Sequence, residues 1–149
     1  MERVPSKQEY VQLAEFRYRL RKFMHFSEEA ARSVGITPQQ HQLLLAVAGF
    51  PERDFATPTE LAERLQLRHH SCLGLIQRCE QLGLVERERN PTDKRSVLIH
   101  LTPAGKQLLD RLTALHLSEL ERLGVSHRNF LEKDPAQFDP SDVPRGHRP

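Results

Sequence analysis

Cysteine is scarce in this chain, and both a long apolar run and an apolar leader are missing. Two cysteines, Cys72 and Cys79, cannot supply the disulfide framework of a small secreted domain, so a reducing compartment is favoured. The opening residues MERVPSKQEY lack the apolar segment of a signal peptide. The longest apolar stretch, Leu43–Phe50, is far shorter than the roughly 20 residues that cross a bilayer. We therefore expect a soluble, cytoplasmic protein.

The chain also has little net charge and few apolar residues. The net charge is +2 with neutral histidines, which is compatible with a nucleic-acid partner but does not by itself indicate one. Hydrophobic residues make up 38% of the 149 residues, which is lean for one compact domain. A lean chain with long helices often completes its core by pairing with a second copy. We therefore expect a homodimer.

Three helix starts are clear in the first sixty residues. In each, a Ser or Thr precedes a Glu or Gln by three positions, the pattern of a capping box: Ser6–Glu9, Thr37–Gln40 and Thr57–Glu60. The first start predicts a long helix over 7–34, which Gly35 ends. The other two predict helices that begin at Pro38 and Pro58, because proline suits the first helical position.

After a short break, an apolar stripe with helical spacing follows the third helix. The stripe predicts a fourth helix from about His69 to Leu82, ended by Gly83. Two short helices across a tight break, the second one longer, are typical of a helix-turn-helix. The side chains expected to be buried on this second helix are Cys72, Leu75, Ile76, Cys79 and Leu82.

The pattern then changes from helix to strand. Leu84–Arg89 and Ser96–Leu101 are predicted to be strands, joined by a polar and basic turn. Thr102 caps a final leucine-rich helix. A hairpin directly after a helix-turn-helix makes a winged helix, so the predicted fold is mainly α with one small β-hairpin. The predicted organisation is a single domain over 1–133, with a DNA-binding lobe at 36–101, dimerisation helices at 7–34 and 103–131, and a Pro-rich arm at 134–149.

The winged helix suits DNA on simple geometric grounds. A helix about 10–12 Å wide fits a major groove about 12 Å wide. With the apolar stripe inward, the fourth helix presents a row without acids, as a groove lined by phosphates requires. Glu80 is the one acid nearby, and it lies to the side of this row. The row consists of His70, Gly74, Gln77 and Gln81, flanked by Ser71, Leu73 and Arg78.

The run TPTELAERLQLRHHSCLGLIQRCEQLGLVERERNPTDKRSVLIHLTPAG resembles the MarR family of bacterial and archaeal regulators, and GITPQQHQLLLAVAG is similar to that family's second helix. Its most specific part is Asp93-Lys94-Arg95 followed by LTPAG. The resemblance implies a two-fold dimer whose winged lobes read a pseudo-palindromic operator, with half-sites about one helical turn apart. It also implies that Arg95 enters the minor groove and that Asp93 helps to hold it.

Pattern and resemblance together predict DNA contacts from ten residues: Arg68, His69, His70, Ser71, Gly74, Gln77, Arg78, Asp93, Lys94 and Arg95. The recognition helix departs from the family, because it begins Arg68-His69-His70 where small hydroxyl residues are usual. The family's base-reading code therefore cannot be carried over. The chain after Leu123 is also shorter than usual. The basic run at 17–22 is solvated surface or, alternatively, contacts flanking phosphates.

Other functions are considered beside DNA binding. A winged helix that binds proteins instead of DNA is the main alternative. The sequence shows no phosphate loop, zinc quartet or nucleophile with a spaced base, so no enzyme, cofactor or metal is expected. Adjacent His69 and His70 cannot share one helix face as zinc ligands. Cys72 and Cys79 favour core packing over a redox switch.

The resemblance further implies a repressor or activator gated by a small, often aromatic or phenolic, effector. Such a molecule would bind where the first, second and fifth helices meet the winged lobe. Tyr18, Lys22, Phe26 and His41 could line that pocket, or they could be ordinary core and surface residues.

Overall fold

The computed structural model describes residues 2–124, which form five helices and a three-stranded sheet. The mainly helical winged helix-turn-helix predicted from the sequence is confirmed. The predicted arm at 134–149 and the end of the second dimerisation helix lie outside the described residues. In chain order the elements are α1 (Lys7–Ser33), α2 (Pro38–Ala48), β1 (Phe55–Ala56), α3 (Pro58–Leu65), α4 (His69–Gln81), β2 (Val85–Arg89), β3 (Val97–Leu101) and α5 (Pro103–Arg122).

Side-chain caps determine where four of these helices begin. The three predicted capping boxes form at the starts of α1, α2 and α3, with both reciprocal hydrogen bonds present in each. At α5, the Thr102 hydroxyl accepts a 3.0 Å hydrogen bond from the Gly105 amide. A cap of this kind typically contributes about 1 kcal/mol to helix stability. Helix α4 differs from these, because Arg68 at its N-cap makes no side-chain capping bond.

The sheet has β3 at its centre, with β1 and β2 antiparallel on either side. The β2–β3 hairpin is the wing, and its last cross-strand pair joins Arg89 to Val97. Strand β1 is only two residues long, which is too short to show alternation in the sequence, and it was not predicted. Its Ala56 is fully buried opposite Ile99.

Helix α2 lies at the centre of the fold and contacts α1, α3, α4 and α5. Its Leu43, Leu44 and Val47 are fully buried. The start of α5 packs closely on the chain before β2, because Gly105 has no side chain. A Cβ at that position would overlap the carbonyl oxygen of Leu84 and lie 2.9 Å from its carbonyl carbon.

The predicted burial of Leu82 is wrong, since 53% of this residue is exposed. Helix α4 ends at Gln81, and Gly83 then takes a positive φ of 71°. The chain therefore leaves the helical path at Leu82, and Leu84 turns into the core in its place, 8% exposed.

The first half of α1 lies outside the core. Over residues 7–22 every side chain except that of Glu9 is exposed, whereas Ser27, Ala30 and Ala31 are buried against the rest of the fold. Among residues 2–124, seven of the twelve exposed large apolar residues are on α1, and two are on α5. Within residues 2–124, no helix is both long enough and apolar enough to cross a membrane.

Candidate nucleic-acid interface

Helix α4 has one buried face and one exposed face, as predicted for a recognition helix. Cys72, Leu75, Ile76 and Cys79 are buried against the lobe. Leu73 and Gly74 are half-buried. The structure leaves seven polar side chains exposed on or beside the helix: Arg68, His69, His70, Ser71, Gln77, Arg78 and Gln81. This exposed set contains cations and neutral polar groups and no carboxylate.

The amino-terminal end of α4 is open to a partner from outside the helix. The Cys72 amide donates to the Arg68 carbonyl (3.0 Å), so the amides before it lie ahead of the first helical hydrogen bond. No side chain of Arg68 caps them. The positive end of the helix dipole is here surrounded by the exposed side chains of Arg68, His69 and His70. An anionic oxygen is the natural complement of such an end.

The guanidinium of Arg78 lies close to Gly74 on the exposed face of α4. A Cβ at Gly74 would be 3.4 Å from the Nη1 atom of Arg78, one turn further along the helix. The guanidinium therefore lies over the glycine, between the two ends of the exposed row. Its position is compatible with contact to a backbone phosphate or to a base edge.

Glu80, the acid predicted to lie beside this row, forms an ion pair with the wing. Its carboxylate accepts a hydrogen bond from the Nε of Arg87 on β2 at 3.1 Å. This ion pair links α4 to the hairpin. It also reduces the repulsion that a free carboxylate would exert on phosphates.

The tip of the wing carries two cations on a hydrogen-bonded loop. Lys94 and Arg95 are exposed. The Arg95 backbone amide donates to Asp93 Oδ1 at 3.0 Å. Asp93 thus holds the backbone at Arg95. The guanidinium of Arg95 has no ion-pair partner among residues 2–124 and can contact a bound molecule.

The four residues considered for an effector pocket fall into two groups. Phe26 and His41 both pack against His116 of α5, with ring centroids 5.4 and 4.8 Å away. Lys22 instead lies over the ring of Tyr18, 4.7 Å from its centroid, on the exposed part of α1. The group around His116 marks the junction of α1, α2 and α5.

Buried polar groups link the helices at this junction. His116 Nδ1 donates to the Leu112 carbonyl (2.6 Å), since a carbonyl can only accept, and its Nε2 is 2.8 Å from the Ser27 hydroxyl of α1. Burial, together with the nearby His116, lowers the pKa of His41 from its ordinary 6.5 to about 4. His41 is therefore held in its neutral form at physiological pH.

Both cysteines are buried on the inner face of α4. Burial raises the pKa of the Cys72 thiol, and it raises that of Cys79 to about 11. A thiol in this state holds its proton at neutral pH and is a poor nucleophile. Within residues 2–124, no three His, Cys, Asp or Glu side chains cluster in the manner of a metal site.

Comparisons with known proteins decide the family. A model of the MarR family matches residues 34–96, from the end of α1 to the end of the wing loop. YkoM of Bacillus subtilis, an uncharacterised HTH-type transcriptional regulator, is 30% identical over 128 residues, which cover 82% of this chain and 80% of YkoM. The chain belongs to the MarR family. YkoM and YetL, two Bacillus subtilis relatives of this chain, are named as transcriptional regulators and not as enzymes.

Two further proteins are similar to this chain. A transcriptional regulatory protein of Thauera aromatica is 29% identical over 90 residues, 60% of this chain, and the match spans about half (52%) of that relative. A MarR family transcriptional regulator from Streptomyces coelicolor, solved in complex with DNA, has a TM-score of 0.67 and 22% identity. That match covers 92% of this chain and 82% of the other, and it shows a shared fold.

The residues that shape the wing loop of this MarR-family chain were not singled out from the sequence. Asn90 and Ser96 are half-buried at the base of the loop and are joined by a side-chain hydrogen bond of 2.9 Å. The Asn90 side chain also accepts from Thr92, two residues later. An Asn before a proline is a known turn signal, and it was the available clue.

Proposed function

We propose that this protein is a sequence-specific DNA-binding regulator of MarR type that binds double-stranded DNA as a homodimer. The observation that carries the proposal is the exposed face of α4. That face is polar and free of carboxylates, it begins at an uncapped helix end, and it is followed by a hairpin with Lys94 and Arg95 at its tip. The Streptomyces coelicolor protein of the same fold was solved with DNA, which supports this reading.

The DNA contact that we propose for each group follows from its chemistry. The uncapped amides of α4 and the side chains of Arg68, His69 and His70 contact phosphates at the edge of the major groove. Gln77 and Arg78 are placed to read base edges, because an amide and a guanidinium can each form paired hydrogen bonds there. The wing inserts Arg95 into the neighbouring minor groove, and Lys94 contacts the backbone.

The homodimer is supported by the apolar residues left exposed on α1 and α5. Leu13, Phe16 and Leu20 are 62%, 41% and 39% exposed on a helix whose first half contacts little of its own lobe. A helix that exposes apolar side chains to water has only marginal stability unless another surface covers them. Pairing through these helices places two winged lobes on the two half-sites of a pseudo-palindrome.

We also propose that a small effector acts at the junction of α1, α2 and α5. This part of the proposal is supported by the concentration of polar and aromatic side chains around His116, namely Ser27, His41 and Phe26. These three groups could bind a phenol by stacking and hydrogen bonding. Thermal unfolding with a panel of phenolic compounds tests this point, and a shift that survives in His41→Leu would place the effector elsewhere.

Selection of bound duplexes from a random DNA pool tests the main proposal. We expect an enriched pseudo-palindrome with half-sites one helical turn apart, bound by two chains. Gln77→Glu, which puts an acid on the exposed face of α4, should abolish enrichment. The same change at Gln107, exposed on α5, serves as the matched control and should leave it intact. A wild type that enriches no sequence would refute the proposal.

A further inference from the structure

The side chain of Asn90 makes three hydrogen bonds at the base of the wing loop, where the Asn90 backbone amide also donates to the Ser96 carbonyl at 3.4 Å. The loop runs from Asn90 to Ser96, between the last paired residues of β2 and β3. Asn90 Oδ1 accepts two hydrogen bonds from Thr92, one from the backbone amide (3.1 Å) and one from the hydroxyl (2.9 Å). Asn90 Nδ2 donates to the Ser96 hydroxyl at 2.9 Å. One side chain therefore ties the outgoing and the returning segments of the loop to each other.

Two further hydrogen bonds hold the rest of the loop. The Ser96 amide donates to the Asp93 carbonyl (3.2 Å), and the Arg95 amide donates to the Asp93 side chain (3.0 Å). These two bonds fix the backbone on both sides of Arg95. Neither of them involves Asn90, but both need the two segments of the loop to stay side by side.

In the part of the chain that the structure describes, the cations on the loop have no ion-pair partner that would order them. Lys94 and Arg95 are exposed, and neither forms an ion pair with another residue of 2–124. A flexible loop of this length would lose conformational freedom when it docks on DNA, and that loss weakens binding. A loop that is already held in one shape avoids most of this loss of conformational freedom.

From this geometry we infer that Asn90 is the positioning residue of the wing: it does not contact DNA, and it acts through Lys94 and Arg95 by holding their loop in the binding shape before DNA arrives. The inference rests on the proposed function. It differs from the contact roles assigned to the wing cations, because it predicts that the effect of Asn90 disappears when those cations are removed.

A double-mutant cycle on DNA affinity tests this dependence. The probe is the duplex selected by the wild type, and affinity is measured by fluorescence anisotropy. Asn90→Ala should weaken binding about tenfold, since three hydrogen bonds that order the loop are lost. In a Lys94→Ala, Arg95→Ala background the same change should have an effect of at most about twofold. Thr92→Val, which removes only one of the three bonds, should weaken binding by about twofold.

Amide exchange in the free protein supplies a readout that does not depend on DNA. Asn90→Ala should speed exchange at Arg95 and Ser96, whose amides do not bond to Asn90, with an unchanged thermal midpoint. Asn90→Asp keeps the acceptor for Thr92, and the Ser96 hydroxyl can turn to donate to it, so slow exchange should return.

The outcomes separate the inference from the function on which it rests. Equal losses of affinity in both backgrounds, or unchanged exchange at Arg95 and Ser96, would overturn the role of Asn90 while leaving DNA binding in place. A wild type that binds no duplex would overturn the proposed function, and the positioning role with it.

Discussion

At the scale of single residues, Arg95 carries the sharpest prediction. It is exposed at the tip of the wing, and its backbone is fixed by Asp93. Arg95→Ala should weaken DNA binding by about 1–3 kcal/mol, the usual contribution of a good contact. The free energy of unfolding should change by less than about 0.5 kcal/mol, because the Arg95 side chain is exposed and does not pack in the core.

Arg111→Ala is the control for this experiment, because Arg111 is also exposed but lies on α5. It removes the same charge and should bind DNA as the wild type does. Arg95→Lys keeps the charge and loses the planar guanidinium group, so its DNA affinity should lie between those of Arg95→Ala and the wild type. If Arg95→Ala bound as tightly as the wild type, the role carried over from the family would be wrong.

The buried cysteines give a second prediction at this scale. Burial raises the pKa of both thiols, that of Cys79 to about 11, so little thiolate exists at neutral pH. On one helix they are also seven residues apart, about 10.5 Å along the axis, beyond the roughly 7 Å that a disulfide allows between Cα atoms.

We therefore expect both thiols to be unreactive in the folded protein. Labelling with a thiol reagent at pH 7.5 should be slow until urea unfolds the chain. DNA binding should be unchanged by peroxide in the wild type and in Cys72→Ser, Cys79→Ser alike. Rapid labelling of the native protein, or peroxide-driven release that the double mutant lacks, would show a redox switch.

At the scale of elements, the contact between α5 and the chain before β2 depends on Gly105. A Cβ there would overlap the Leu84 carbonyl, and backbone cannot move aside as a flexible side chain can. Gly105→Ala should therefore destabilise the fold by about 1–3 kcal/mol, as overpacking usually does. Ala104→Ser, at the exposed neighbouring position, should stay within about 0.5 kcal/mol. Urea unfolding of both variants decides, and equal stabilities would mean that α5 does not approach Leu84 this closely.

The junction of α1, α2 and α5 predicts a dependence of stability on pH. The pKa of His41 is lowered from 6.5 to about 4 in the folded chain, first by burial and then by His116. Above pH 6.5 the ring is neutral in both the folded and the unfolded state, so it contributes no pH dependence. As the pH falls from 6.5 to 4, the unfolded chain takes up a proton that the folded chain refuses, and folding is progressively disfavoured.

This cost should reach up to about 3 kcal/mol near pH 4, at roughly 1.4 kcal/mol per pH unit. The free energy of unfolding, measured at fixed protein concentration from pH 4 to 8, should show this slope in the wild type. His41→Gln should flatten it. An identical slope in wild type and His41→Gln would mean that His41 is accessible to protons in the folded state.

At the scale of the whole molecule, the exposed apolar residues of α1 and α5 predict a dimer. Sedimentation at micromolar concentration should give twice the chain mass. Phe16→Glu with Leu20→Glu should give a monomer, because it places two charges in the pairing surface. Leu45→Glu is the matched control, since Leu45 is also 41% exposed but lies on α2, and it should remain dimeric. A monomeric wild type would remove the model of paired half-sites.

Local chemistry allowed most elements to be predicted. The capping boxes at Ser6, Thr37 and Thr57 involve residues three positions apart, so their geometry is contained in a short stretch of sequence. The buried stripe of α4 follows from helical periodicity alone, and the hairpin follows from the change of period after Gly83. The exposed face of α4 was predictable for the same reason, since it is the complement of the buried stripe.

Long-range contacts decided the features that could not be predicted from the sequence. Strand β1 exists because β3 offers it a free edge, and Leu82 is exposed because Leu84 fills the core after the turn at Gly83. His41 is neutral because folding brings α5 against α2, far apart in the chain. The sequence by itself determined where helices and strands form, because those signals act over a few residues. Only the tertiary structure decided which polar groups are buried together, because burial depends on contacts between distant segments.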